Sequence, residues 1–278
     1  MKTIKIAILD MNNDAPNQGM RCIQQLIQAV QQDENADVSV TVFNVRVDHV
    51  VPDLTFDVYI SSGGPGNPNK REDGWETPYF QLIDQLFAWN RTHREKKHVF
   101  LICHSFQLVM RHLKLGKLSK RKSTSFGIFP IHKTDDGHSD PLLRALPDPF
   151  FAVDSRDYQV TIPDFRALDT VGASILCLEK VRPHVPLERA IMAVRFSDEI
   201  FGTQFHPEAD GDGMLMYFER ADKREQVIHN YGEAKYHEMV DSLRDPDKIE
   251  LTESIILPTF LRRAMGMQSV MATETVSR

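Results

Sequence analysis

Short apolar runs alternate with longer stretches of helical periodicity through the first part of the chain. Ile4 to Leu9 reads as a strand, 17–33 as a helix, 38–45 and 56–61 as strands, 75–92 as a helix, 98–102 as a strand and 104–114 as a helix. Strands and helices in alternation are what a parallel sheet with crossover helices requires. Farther on, the pattern changes. Phe126 to Ile131, Phe150 to Val153, Ile175 to Leu178, and the pair Ala190–Phe196 and Ile200–Phe205 around a Ser197-Asp198 turn are strand signals that predict a more antiparallel portion.

Beyond residue 208, helical patterns run through Met214 to Leu243 and Asp247 to Met265, interrupted by Asp245-Pro246 and strained by Pro258. The stripe Ile255, Ile256, Pro258, Phe260 and Leu261 is expected to dock on the chain's own core. Ser269 to Arg278 is polar and expected to fray. The prediction is an α/β fold: an open, mostly parallel sheet with helices on both faces, a smaller antiparallel portion and a helical C-terminal extension. Its expected divisions are a domain over 1–208, the extension over 209–268 and a flexible tail over 269–278.

Composition narrows the classes of function. With 278 residues and 41% apolar content, the chain can bury an ordinary core. Its net charge of −6 is spread over many segments with no basic face to track phosphates, which argues against nucleic acid as a partner. The basic run Lys114 to Lys122 reads as a solvated helix end and loop. The three cysteines, Cys22, Cys103 and Cys177, have no pairing pattern, which points to a reducing, cytoplasmic setting. Cys22 and Cys177 fall on apolar stripes and read as packing residues. The N-terminal apolar run reaches Asp10 too soon for a signal peptide, and no run approaches membrane-spanning length.

Cys103 is different. It follows the apolar run His98 to Ile102 and opens a helical pattern. A buried strand that turns abruptly into a helix presents the turn residue at the carboxyl edge of a sheet, over helix N–H groups and the positive end of the dipole. Those donors favour thiolate over thiol. A base lies about a hundred residues on, in Gly202-Thr203-Gln204-Phe205-His206-Pro207-Glu208. Pro207 pushes His206 into extended geometry, so His206 and Glu208 point to one side and the carboxylate can hold the imidazole's tautomer. Ser61 to Pro68 follows another strand, and its consecutive glycines let backbone N–H groups turn toward a ligand. The alternative for that segment is an ordinary strand-ending turn; it lacks the Gly-Lys-Ser/Thr of a phosphate loop.

At Ser62-Gly63-Gly64-Pro65-Gly66, at the turn from Cys103 to Gln107 and at Gly202 to Glu208, the chain resembles the class I glutamine amidotransferases, in order and spacing over residues 1–208. The resemblance implies a flavodoxin-like domain in which Cys103 attacks the side-chain amide of glutamine, His206 is the base and Glu208 its orienter. It also implies an oxyanion hole from the amides of Gly64 and His104, with Gly63, Gln107, Ser155 and Arg156 as candidate substrate-binding residues. No cofactor or metal is implied. The sequence contains no nucleotide-binding loop or acceptor-activating motif, so any synthase that uses the ammonia would be a separate chain. Two other readings remain: a stand-alone γ-glutamyl peptide or amide hydrolase with the same triad, and a non-catalytic regulatory or binding protein with a degraded nucleophile turn.

Three positions depart from the resemblance. The family usually carries glycine two residues before and two after the nucleophile, where this chain has Leu101 and Ser105. Glycine suits those positions because helix and strands crowd the turn. Either the turn opens locally or the pocket floor is reshaped. Arg156 stands where many relatives have histidine; it either meets a carboxylate bidentately or is a solvated surface residue. Asp210 to Gly213 lacks the ligand pattern of a calcium loop and is expected to be a turn, and Trp75 is expected to anchor a helix.

Overall fold

The computed structural model describes residues 3–267 apart from 16, 185, 244 and 246. In chain order the elements are β1 (Ile4–Asp10), α1 (Gly19–Asp33), β2 (Val38–Asn44), α2 (Val45–Asp48), β3 (Val58–Ser61), α3 (Glu76–Thr92), β4 (His98–Ile102) and α4 (His104–His112). They continue with β5 (Gly116–Lys133), α5 (Asp135–Ser139), β6 (Phe150–Pro163), α6 (Phe165–Val171), β7 (Ser174–Glu179), β8 (Ile191–Arg195) and β9 (Ile200–Thr203). Four helices follow: α7 (Gly211–Phe218), α8 (Ala221–Tyr231), α9 (Glu233–Ser242) and α10 (Ile249–Ala264).

Among the described residues the strands form one nine-stranded sheet in the order β2-β1-β3-β4-β9-β8-β7-β5-β6. From β2 to β9 the neighbours run parallel, and from β9 to β6 they run antiparallel. The expected fold class is therefore what the chain adopts. Strand β9 is the seam: it pairs in parallel with β4 and in antiparallel with β8. In a parallel run all carboxyl ends share one edge, where open α/β sheets place their ligands.

Period-two alternation sorts the parallel strands into two cores. Ile6 and Ile8 of β1 join Ile60, Phe100 and Ile102 on the face covered by α1 and α10. Ala7 and Leu9 join Tyr59, Val99 and Leu101 on the face covered by α3 and α4. Helix α10 belongs to the first core through Ile256, Leu257, Phe260 and Leu261, with Phe260 edge-on to Phe100 at 5.0 Å. Each such side chain contributes about 1.5–3 kcal/mol before chain entropy is set against it. Pro258 lies inside α10, where it removes the bond to the Ser254 carbonyl; Ser254 is exposed, and the helix continues. A third core joins α7, α8 and α9 to the β5–β6 hairpin through Phe126, Val153, Phe218 and Met239.

Two local expectations are corrected. Residues 116–122 are not a loop but the start of β5, paired with β6 through Lys120, where charged side chains on a solvated strand face disguise the strand. Asp210 to Gly213 is not a free turn but the start of α7, with the Asp210 carboxylate accepting from the Gly213 amide at 2.7 Å. Pro246 and the tail over 269–278 lie outside the described residues. Among the described residues no helix is long and apolar enough to cross a membrane.

Candidate active site

Cys103 sits between β4 and α4 at φ 47°, ψ −95°, a backbone region that L residues seldom occupy. The surroundings hold it there. Its amide donates to the Thr203 carbonyl at 2.7 Å, and its carbonyl accepts from Gln107 at 3.0 Å. Leu101 neither opens the turn nor fills the pocket floor. It points into the α3–α4 core, and its register partner on β9 is Gly202. A Cβ on Gly202 would meet the Phe106 ring at 2.9 Å and Leu101 Cβ at 3.4 Å, so the glycine that relieves this crowding lies on the neighbouring strand.

His206 follows β9 and is fixed by its amide, which donates to the Val153 carbonyl at 2.8 Å. Its Nδ1 and Glu208 Oε1 are 2.8 Å apart, and Glu208 is buried. Burial opposes charge on His206, but Glu208 and then the Cys103 sulfur outweigh it and hold the imidazolium well above the ordinary value of 6.5. The Cys103 Sγ lies 3.7 Å from the Ser155 carbonyl and accepts from Gln204 Nε2 at 3.5 Å. Gln107 Nε2 in turn donates to Gln204 Oε1 at 3.0 Å and to the Tyr158 carbonyl at 3.0 Å. Gln204 is the residue that sequence reasoning passed over. The signal was present, because Gln204 stands in the same Gly202 to Glu208 motif, two positions before His206. In the structure residues 204–205 bend, His206 forms a single bridge to Val153 and 207–208 turn, so the extended geometry expected there is not kept.

The glycine loop closes on the same point. A Cβ on Gly63 would stand 2.8 Å from His206 Cε1 and 3.7 Å from Cys103 Cβ. A Cβ on Gly64 would stand 2.1 Å from the Met11 carbonyl oxygen, so only glycine fits. Buried Arg46 spans the back of the loop, donating to the Met11 carbonyl at 3.1 Å and to the Pro65 carbonyl at 2.6 Å. His104, the first residue of α4, is buried; burial, reinforced by Arg46, lowers its pKa to about 4, so its ring is neutral. Trp75 anchors the start of α3, its Nε1 donating to Glu72 at 2.9 Å. The structure thus brings Cys103, His206, Glu208, Gly63, Gly64, His104, Gln107 and Ser155 around one cleft of about 380 Å³.

The family model of class I glutamine amidotransferases matches residues 19–218. The chain belongs to this family. Its fold is similar to that of a glutamine amidotransferase from Thermotoga maritima, at 12% identity and TM-score 0.66, covering 95% of this chain and 99% of that one. It is similar to a glutamine amidotransferase from Methylobacillus flagellatus, at 16% identity and TM-score 0.65, with 96% of each chain covered. It is also similar to the glutaminase domain of Trypanosoma brucei CTPS with bound acivicin, at 13% identity and TM-score 0.57, with 96% of each chain covered. Among curated proteins no sequence matches the chain.

Against the family pattern, Arg156 turns out not to be a solvated surface residue. It is buried, its Nε donates to the Asp154 carboxylate at 2.9 Å, and its Nη2 donates to Glu179 at 3.4 Å. Arg121 and Arg182 reach Glu179 at 3.1 and 3.0 Å. Burial alone would raise the Glu179 pKa, but Arg156, Arg121 and Arg182 hold it below the usual carboxylate range. Arg156 also borders the cleft, and its Nη1 has no hydrogen-bond partner among the described residues. The far wall of the cleft comes from Met214, Tyr217 and Lys223 of α7 and α8.

Proposed function

We propose that the protein hydrolyses the side-chain amide of glutamine through a γ-glutamyl thioester on Cys103. The observation that carries this reading is the convergence of Cys103, the His206–Glu208 pair and the Gly63-Gly64 loop on one cleft. The Cys103 thiolate attacks the amide carbon, and the carbonyl oxygen becomes an oxyanion held by the Gly64 and His104 amides. The His206 imidazolium gives its proton to the departing nitrogen, and ammonia leaves as the thioester forms. Neutral His206 then takes a proton from water, the hydroxide adds to the thioester, and collapse returns the Cys103 thiolate and glutamate. Glu208 holds the tautomer that allows both transfers.

Gln204 donates to the sulfur when it is the anion, and Gln107 keeps Gln204 oriented. Gly63, Ser155 and Arg156 border the bound amino acid, Arg156 as part of a wall held by its ion pairs to Asp154 and Glu179. Residues 1–208 are the catalytic unit, and the ammonia passes to a separate synthase chain. The cleft's extension to Tyr217 and Lys223 favours a second reading, cleavage of larger γ-glutamyl amides or peptides by the same groups. Ammonia release from glutamine, compared with cleavage of γ-glutamyl peptides, separates the two. Absence of turnover on both, from a folded chain, would refute them together.

A further inference from the structure

Ser105 occupies a position where the family pattern has glycine, and its hydroxyl ends a buried chain of three. Tyr79 Oη and Ser61 Oγ are 3.1 Å apart, Ser61 Oγ and Ser105 Oγ are 2.7 Å apart, and Ser105 Oγ donates to the Ser62 carbonyl at 2.7 Å. A hydroxyl has one proton. Ser105 gives its proton to Ser62, so it accepts from Ser61, and Ser61 accepts from Tyr79. Burial raises the Tyr79 pKa, which keeps it a neutral donor. The chain has one direction, and its bonds reinforce one another away from water.

The next peptide is held in the same way. Ser62 Oγ donates to the Gly63 carbonyl at 2.9 Å and accepts from the Met11 amide at 2.9 Å. In a trans peptide the N–H points opposite to the C=O. Holding the Ser62 and Gly63 carbonyls therefore fixes the direction of the Gly63 and Gly64 N–H groups, beside Cys103 and His206. A pair of glycines has no side chain to resist rotation of those planes.

We propose that Ser105 and Ser62 are positioning residues that lock the oxyanion loop, so that the oxyanion hole stands assembled in the isolated chain without an activating partner. Glycine at 105 has no hydroxyl, so the Ser105 half of this lock is a property of this chain, whereas Ser62 belongs to the motif it shares with the family pattern. The proposal rests on the thioester chemistry above for its kinetic consequence, but the lock itself can be read without turnover.

The test compares wild type with Ser105→Gly, Ser105→Ala and Tyr79→Phe. For both Ser105 variants kcat on glutamine or γ-glutamyl p-nitroanilide is expected to fall about 10- to 100-fold, within the range of a misaligned oxyanion donor, with KM changed less than about twofold. Tyr79→Phe, which shortens the chain by one donor, is expected to lose less. Backbone hydrogen exchange in the peptide over 60–67 should accelerate about tenfold or more in the Ser105 variants while β1 and β4 keep their protection. Unchanged kcat in Ser105→Gly, or unchanged loop exchange, overturns the proposal. A wild-type chain that turns over neither substrate sinks the hydrolase reading, whereas the exchange result still decides the lock. A wild-type kcat on the order of 1 s⁻¹ without a partner is expected; a rate a thousandfold lower overturns the claim that the hole is assembled in the isolated chain.

Discussion

The parallel and antiparallel parts of the sheet meet at β9 and divide the site between them. The parallel part ends its buried strands in the Gly63-Gly64 loop and Cys103, and β9 itself leads into His206 and Glu208. These are short strands flanked by packed helices, a scaffold that holds reactive groups to fractions of an ångström. The antiparallel part has the long β5–β6 hairpin, and it brings Ser155, the Arg156 ion network and, through α7 and α8, the far wall of the cleft. The difference teaches a division of labour. We place the bond-breaking groups on the parallel side and the groups that shape the substrate's surroundings on the other.

The largest expected effect tests the parallel side. Cys103→Ala should lower kcat by about 10⁴-fold or more with the fold intact, as judged by thermal unfolding. Residual activity near the wild-type rate would remove Cys103 from the proposed mechanism. Glu208→Gln should cost about 10²- to 10⁴-fold in kcat through loss of the imidazole's orienter. It also carries a pH signature. Because the folded His206 pKa is raised, its pairing stabilises the protein fully below the ordinary value of 6.5, and that stabilisation is lost as pH climbs through the raised value. The Tm of wild type should therefore decline on the alkaline side, and Glu208→Gln should flatten the decline.

The antiparallel side is tested by Arg156→Ala. Removing it leaves the buried Asp154 carboxylate without its cation, held by the Ser125 hydroxyl alone, while Glu179 keeps Arg121 and Arg182; this should destabilise the fold by about 3–5 kcal/mol in denaturant titrations. A loss below about 1 kcal/mol would show that the network is not a structural wall. The smallest effect lies on α10, at Glu253. Burial first, then Asp210 and Glu250, raise its pKa to about 7. A carboxylate with a raised folded pKa weakens the fold progressively as pH rises from 4.5 through about 7, and has no such effect below 4.5. Glu253→Gln should stabilise by less than about 1 kcal/mol at pH 8 and not at all at pH 4.

Much of the parallel side was legible. Uninterrupted apolar runs and helical stripes mark buried strands and crossover helices, and Cys103, His206 and Glu208 each stand at a local signal. Lys117 to Lys122 in β5 was not legible as strand, because an exposed strand face can be wholly charged and then resembles a loop. Arg156 was ambiguous for a related reason: a charged residue is buried only where partners meet it, and Asp154 is near in sequence while Glu179 is not. Leu101 and Ser105 read as damage to the nucleophile turn until β9 placed Gly202 beside one and β3 placed Ser61 and Ser62 beside the other.

The sequence by itself determined the order of elements, the sheet's division into parallel and antiparallel parts, and the motifs that carry the family's signature, because periodicity and turn chemistry act over a few residues. Only the tertiary structure decided which partners those motifs meet. The contacts that give Leu101 room, bury Arg156 and fix the glycine loop join residues tens of positions apart, and such contacts exist only once the sheet has set its register.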